Sequence, residues 1–324
     1  MKIASYALVA LAGAAVAGAP APVMAADALP CKTIQVVIHA AYGGGTDVTA
    51  RMMSIRTRRN LKKDIQIVSK QGGSGASAHQ YALTRPKDGC TVLALTQTHL
   101  YTIARGKSPL KIGDVQGVAR AMDDPTFIVV SSKSKYKTLK EMVEESKTKP
   151  LNWGVAQIGG TEHIGLATFA KTAGIKYKVV PFGSGGKMIQ ALMSGAIQAT
   201  LPNVSEAGDR VRDGTFRALA VMSEKRLSDY PKVPTTYELG FKAKASTTRG
   251  YWVLRGTPKA AVDQLSKAMV TAMQHKVFGN YLGSSGLSVK DSVAGSDVWD
   301  KQIKEEYETA YSALNDLGLL QKKK

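Results

Sequence analysis

Three stretches of this 324-residue chain have the residue types and spacing to hold an anion: Tyr42-Gly43-Gly44-Gly45-Thr46-Asp47, Gln157-Ile158-Gly159-Gly160-Thr161 and Pro181-Phe182-Gly183-Ser184-Gly185. Each follows a short β-rich run and precedes a segment with helical character. Each is therefore expected to open a helix, where backbone N–H groups lack partners and the helix dipole attracts negative charge. Glycine lets the backbone approach such a group closely, and Thr46 can cap the first helix. The chemistry this implies is capture of a carboxylate without a dedicated arginine. Each loop taken alone could be no more than a tight turn; repetition at equivalent strand ends is what favours binding, because open α/β sheets take ligands at the carboxyl ends of their strands. Asp47, in a first helical turn, is read as a structural partner of the helix N-terminus, not as an acid or base.

Motifs for making and breaking bonds fail by contrast. Gly72-Gly73-Ser74-Gly75-Ala76 misses the nucleophile elbow at its last position, and Gly183-Ser184-Gly185-Gly186-Lys187-Met188 has neither the spacing nor the Ser or Thr of a phosphate-binding loop. His39, His79, His99, His163 and His275 have no metal-ligand spacing and are read as packing or surface groups, with His99 and His163 near enough to predicted loops to touch an anion. Trp153 and Trp252 are assigned to packing. No enzyme activity, cofactor or metal is expected. The competing function is a secreted enzyme acting on a small anion, which would need a nucleophile, base or metal set that the chain does not display.

The formal charge of +19 favours anionic partners. Nucleic acid is excluded, because the basic residues are spread along the chain, aromatics make up only 6% and no zinc-finger, RNA-binding or basic-zipper pattern occurs. The densest basic run, Arg56, Arg58, Arg59, Lys62 and Lys63, suits a solvated helix end.

The elements that must position the loops follow from the pattern. Met1-Lys2, an apolar run from Ile3 to Ala19 and small residues before Ala25 have the layout of a secretory signal peptide cut after Ala25. What remains is long enough for two lobes. Ile34–Ile38, Ile65–Val68 and Thr91–Leu95 are expected strands, and Val48, Met52 and Ile55 mark a helix between the first two. Phe127–Val130 leaves the first lobe; Trp153–Ala156, Val179-Val180 and Ala199–Leu201 are strands of the second; Ala218–Val221 leads back. Such alternation implies doubly wound, mainly parallel sheets with flanking helices. Cys31 and Cys90 stand at N-terminal strand ends, so they could bond if those strands are neighbours, which would stabilise the fold by roughly 4 kcal/mol. Lipidation of Cys31 is the alternative; Pro30 is a poor context for it and Cys90 would be left alone.

Tyr42–Arg51, Pro86-Lys87-Asp88-Gly89-Cys90-Thr91 and Pro231-Lys232-Val233-Pro234-Thr235-Thr236-Tyr237-Glu238-Leu239-Gly240 together resemble, in order, the receptors of tripartite tricarboxylate transporters, the Bug family of periplasmic binding proteins. The resemblance implies a two-lobed Venus-flytrap fold with residues 26–126 and 222–324 in one lobe, 127–221 in the other, and hinge crossings near Phe127 and Val221. It implies a monomer that binds a small organic carboxylate, a di- or tricarboxylate or an aromatic acid, in the inter-lobe cleft and hands it to the membrane components of a tripartite tricarboxylate-type transporter, or an orphan receptor that senses it. Carried onto this chain, the contacts would be Tyr42, Gly43, Gly44, Gly45, Thr46 and Asp47 with Thr96 and Thr98 from the first lobe. The second lobe would supply Gln157, Gly159, Gly160, Thr161, Phe182, Gly183, Ser184, Pro202 and Asn203. The chain departs from the family pattern at His39-Ala40-Ala41, at Lys70–Gly75 and at Pro181–Ser184, which bears on the ligand more than on the fold.

Overall fold

Burial on both faces of the central strands decides the layering. A computed structural model describes residues 27–320; the expected leader and its cut after Ala25 lie outside the described residues. In chain order the strands are β1 (Thr33–Ile38), β2 (Asp64–Ser69), β3 (Thr91–Leu95), β4 (Val115–Pro125), β5 (Phe127–Ser131), β6 (Leu151–Val155), β7 (Tyr177–Pro181), β8 (Ala199–Thr200), β9 (Phe216–Val221) and β10 (Ser246–Leu254). They form two five-stranded sheets, ordered β2-β1-β3-β10-β4 and β7-β6-β8-β5-β9. Val36, Val92, Tyr251 and Val253 pack into one cluster, while their neighbours Val37, Leu93, Trp252 and Leu254 pack into another on the opposite face. Strands buried on both faces need helices on both, which gives each lobe its three layers. Trp153 and Trp252 are both fully buried, as expected of packing residues.

Both lobes follow one plan. In the first, β1 runs parallel to β2 and β3, and β10 is antiparallel to β3 and β4. In the second, β6 runs parallel to β7 and β8, and β5 is antiparallel to β8 and β9. The sheets are thus mixed, where mainly parallel ones were expected. Parallel neighbours need a crossover element between them, whereas β5 and β10 arrive from the other lobe without one and enter in the opposite sense.

The chain crosses between lobes at Thr126, between β4 and β5, and again just before β10. Residues 222–245, expected with the first lobe, pack on the second instead. Tyr230 stands edge-on to Phe127 at 5.0 Å and Phe241 edge-on to Phe169 at 5.6 Å, and the Ala245 N–H donates to Met222 O at 3.0 Å. The second crossing therefore lies at Ser246, not near Val221.

Helix α1 (Gly45–Leu61) forms as expected, but on another face. Val48 and Ile55 are exposed, and Ala50, Met53, Thr57 and Leu61 are buried. Thr57 tolerates burial because its hydroxyl donates to Met53 O at 2.9 Å. Cys31 and Cys90 form a disulfide, with Cα atoms 6.0 Å apart, before the adjacent strands β1 and β3. No helix among the described residues is long and apolar enough to cross a membrane.

Candidate functional site

Strand ends and helix starts build the site. Helices α1, α2 (Ala76–Leu83) and α3 (Gln97–Ala104) follow β1, β2 and β3; after α4 (Leu139–Ser146), helices α5 (Thr161–Ala173), α6 (Gly185–Met193) and α7 (Val204–Arg212) follow β6, β7 and β8. The lobes are closed on each other, so the N-termini of α1 and α3 face those of α5, α6 and α7 around a polar cavity of about 30 Å³. Cross-lobe bonds hold this geometry. The Ala41 N–H donates to Gly183 O at 3.1 Å, the Gln157 side-chain amide to His39 O at 3.1 Å, and the Ser74 hydroxyl to Ile158 O at 2.6 Å. The Thr98 and Thr161 hydroxyls lie 3.0 Å apart.

Of the residues carried over from the family pattern, Gly44, Gly45, Thr46, Thr96, Thr98, Gln157, Thr161 and Asn203 line the cavity. The others stand behind or beside it. Tyr42 is exposed and its hydroxyl accepts the Ser69 N–H. Asp47 accepts the Gly43 N–H at 2.9 Å and pairs with Arg51, the structural role expected of it. The Gly159 N–H donates to His163 Nδ1 at 2.7 Å, and Gly160 and Ser184 are the N-caps of α5 and α6. Gly183 is occupied by Ala41, Phe182 packs against the second core, and Pro202 O accepts the Phe127 N–H.

The cavity also holds side chains that the glycine pattern did not reveal: His39, Glu162, Glu206 and Arg249. Arg249, on β10, donates from Nη2 to Asp124 Oδ2 at 3.1 Å and to Asn203 Oδ1 at 2.8 Å, with its side chain 5% exposed. Asp124 also accepts the Ser205 N–H and hydroxyl from α7. Burial pushes its carboxyl above the usual range, against the opposing pull of Arg249. Glu206 accepts the Gly45 N–H at 2.6 Å, so a carboxylate of the second lobe sits on the N-terminus of α1. Burial raises Glu162 to about 7, and the nearby Glu206 adds to the effect. The Arg249 Nε–H and the Thr96 hydroxyl have no hydrogen-bond partner among the described residues.

His39 begins a buried chain leading away from the cavity. Its Nδ1 is 3.0 Å from His99 Nε2, His99 Nδ1 is 2.6 Å from His79 Nε2, and His79 Nδ1 is 2.7 Å from Ser108 Oγ. Burial holds His39 down to about 3 and His79 to about 4, with His99 also well below its usual value, so all three are neutral near pH 7. Local signals for some of these groups did exist: Arg249 is a lone charge in an otherwise uncharged strand, and Asn203-Val204-Ser205-Glu206 is a capping-box pattern.

Comparison with known proteins gives one consistent answer. The sequence profile of the tripartite tricarboxylate transporter family receptors matches residues 48–319. Protein BugT of Bordetella pertussis is 25% identical over 279 residues, covering 84% of this chain and 85% of its own length. MatC (Rpa3494) from Rhodopseudomonas palustris, solved with bound malate, matches with a TM-score of 0.82 at 24% identity, over 88% of this chain and 100% of its own. R. palustris Rpa4515 with adipate gives 0.80 at 20% identity, over 89% and 98%. At these identities the structural likeness speaks for the fold, a two-lobed periplasmic binding protein.

Proposed function

The chain belongs to the tripartite tricarboxylate transporter receptor family, and on that premise we propose that its inter-lobe cleft binds a small organic carboxylate for delivery to the membrane components of such a transporter. Receptors of this family bind solutes and carry no enzymatic activity. The observation that carries the ligand reading is the convergence of five helix N-termini, two from one lobe and three from the other, on one polar cavity. A ligand that touches both walls favours closure, because it bridges groups that an open state separates. The relatives solved with malate and adipate support a small carboxylate. The mature receptor is expected to begin after Ala25 and to act in the periplasm as a monomer.

A thermal-shift screen of the mature protein against mono-, di- and tricarboxylates, amino acids and aromatic acids tests this, since a ligand that binds only the folded state raises the melting temperature. We expect at least one carboxylate-bearing compound to do so at moderate salt. A folded protein, free of co-purified ligand and unmoved by the whole panel, would overturn the reading.

A further inference from the structure

Charge decides which carboxylates fit a cleft of this kind. Besides the neutral His39, four ionised or ionisable side chains lie in or beside the cavity: Asp124 and Arg249 from the first lobe, Glu162 and Glu206 from the second. Arg249 is held by Asp124, and that pair cancels. Glu162 and Glu206 face the cavity with no ion-pair partner among the described residues, and the charge of Glu206 helps to keep Glu162 protonated.

The amide donors that would hold a ligand carboxylate are in part already taken. The Gly45 N–H at the start of α1 serves Glu206, the Ser205 N–H at the start of α7 serves Asp124, and the Thr161 N–H at the start of α5 serves Thr98 Oγ1 at 3.2 Å. A dianion would compete with these groups and would add negative charge to a site where Glu206 already has no ion-pair partner among the described residues and holds Glu162 in its protonated form. Two buried side-chain donors at the cavity have no partner among the described residues: the Arg249 Nε–H and the Thr96 hydroxyl, on residues 4% and 2% exposed. Glu206 can accept further hydrogen bonds while keeping the Gly45 N–H, because a carboxylate has about four lone-pair sites.

We propose that the ligand is an amino-carboxylate, its carboxylate held by Arg249 and Thr96 and its ammonium by Glu206 and Glu162. This rests on the receptor reading above and names the substrate class of the same site. A zwitterion adds no net charge to the cleft, and its ammonium beside Glu206 offsets the repulsion that otherwise keeps Glu162 protonated.

Isothermal titration of the mature protein with matched pairs tests the assignment: succinate against aspartate, glutarate against glutamate, propionate against alanine and β-alanine, and butyrate against 4-aminobutyrate. The amino member of at least one pair should bind at least tenfold more tightly than its partner. Glu206→Gln and Glu162→Gln should each reduce that ratio severalfold; because the ratio compares two ligands on one variant, any general loss of closure cancels from it. If the amine-free acid binds as well or better in every pair, the amino-carboxylate assignment falls and the carboxylate receptor stands. If no member of any pair binds, the amino-carboxylate assignment falls, and the wider thermal-shift panel decides whether the carboxylate receptor stands. The wild-type ratios decide the matter even if a variant fails to fold.

Discussion

Gly186, the second residue of α6, meets the opposite lobe so closely that replacing it with alanine should separate closure from folding. A Cβ built there lies 2.6 Å from Gly43 O and 3.2 Å from Gly43 C, and the three nearest atoms all belong to the other lobe. Those atoms are backbone and cannot rotate aside, so the lobes would have to stop roughly 0.8 Å short of contact to restore ordinary packing. Two cross-lobe bonds flank the spot: Ala41 N–H to Gly183 O at 3.1 Å and Gly45 N–H to Glu206 at 2.6 Å. Stretching both by that amount breaks the first and weakens the charge-assisted second, a loss of about 2–3 kcal/mol from the closed state. Ligand binding should weaken by roughly 30- to 150-fold, measured by titration with whichever compound gives the largest thermal shift. The ligand-free melting temperature should hold or rise slightly, since alanine suits a helix better than glycine by up to about 1 kcal/mol. An affinity within twofold of wild type would refute the reasoning, because the ligand-bound lobes would then not meet as they do here.

Replacing both Cys31 and Cys90 with serine removes a cross-link that spans 59 residues. On the chain-entropy account this costs about 4 kcal/mol and should lower the melting temperature by roughly 5–10 °C, matched by wild type after verified reduction; an unchanged melting temperature would take the bond out of the stability of the lobe. Glu162→Gln should reveal the buried carboxyl through pH. Because burial raises Glu162 to about 7, its contribution is fully present below the ordinary carboxylate range and is lost as pH rises through 7. The variant should therefore melt above wild type at pH 8, with the gap closing by pH 4.5. The acid sensitivity conferred by the neutral His39 and His79 is common to both proteins and cancels in the difference, so a gap that does not change with pH would sink the account.

What sequence reasoning reached and what it missed divide by range. Strands β1 and β3, the glycine turns after β1, β6 and β7, and the disulfide were legible because each is written in a few consecutive residues or in two strand starts. The buried face of α1 was not legible because Thr57 looks polar, yet satisfies its own hydroxyl within the helix and so passes as core. Residues 222–245 were assigned to the wrong lobe because Tyr230 and Phe241 find their aromatic partners 103 and 72 positions away, at Phe127 and Phe169. Arg249 and Asp124 are 125 positions apart, and Glu206 is 161 from Gly45. Pairings of that span leave no periodicity to read.

The same division separates scaffold from selectivity. Helix starts can receive many anions, and in this chain the amides of three of them already hold Glu206, Asp124 and Thr98. Discrimination must then come from the charged side chains added to them, which accept one arrangement of ligand charge and oppose others. These groups depend on one another: removing Asp124 would leave Arg249 buried without its counter-charge, a change that typically costs about 3–5 kcal/mol. Asp124 and Asn203 both hold Arg249, Ser205 holds Asp124, and Glu206 caps the helix that begins beside Asn203. A substitution at one of these positions therefore disturbs its neighbours across the cleft. On the proposed reading, the ligand preference would be a property of the linked set, expressed only when the two lobes are closed.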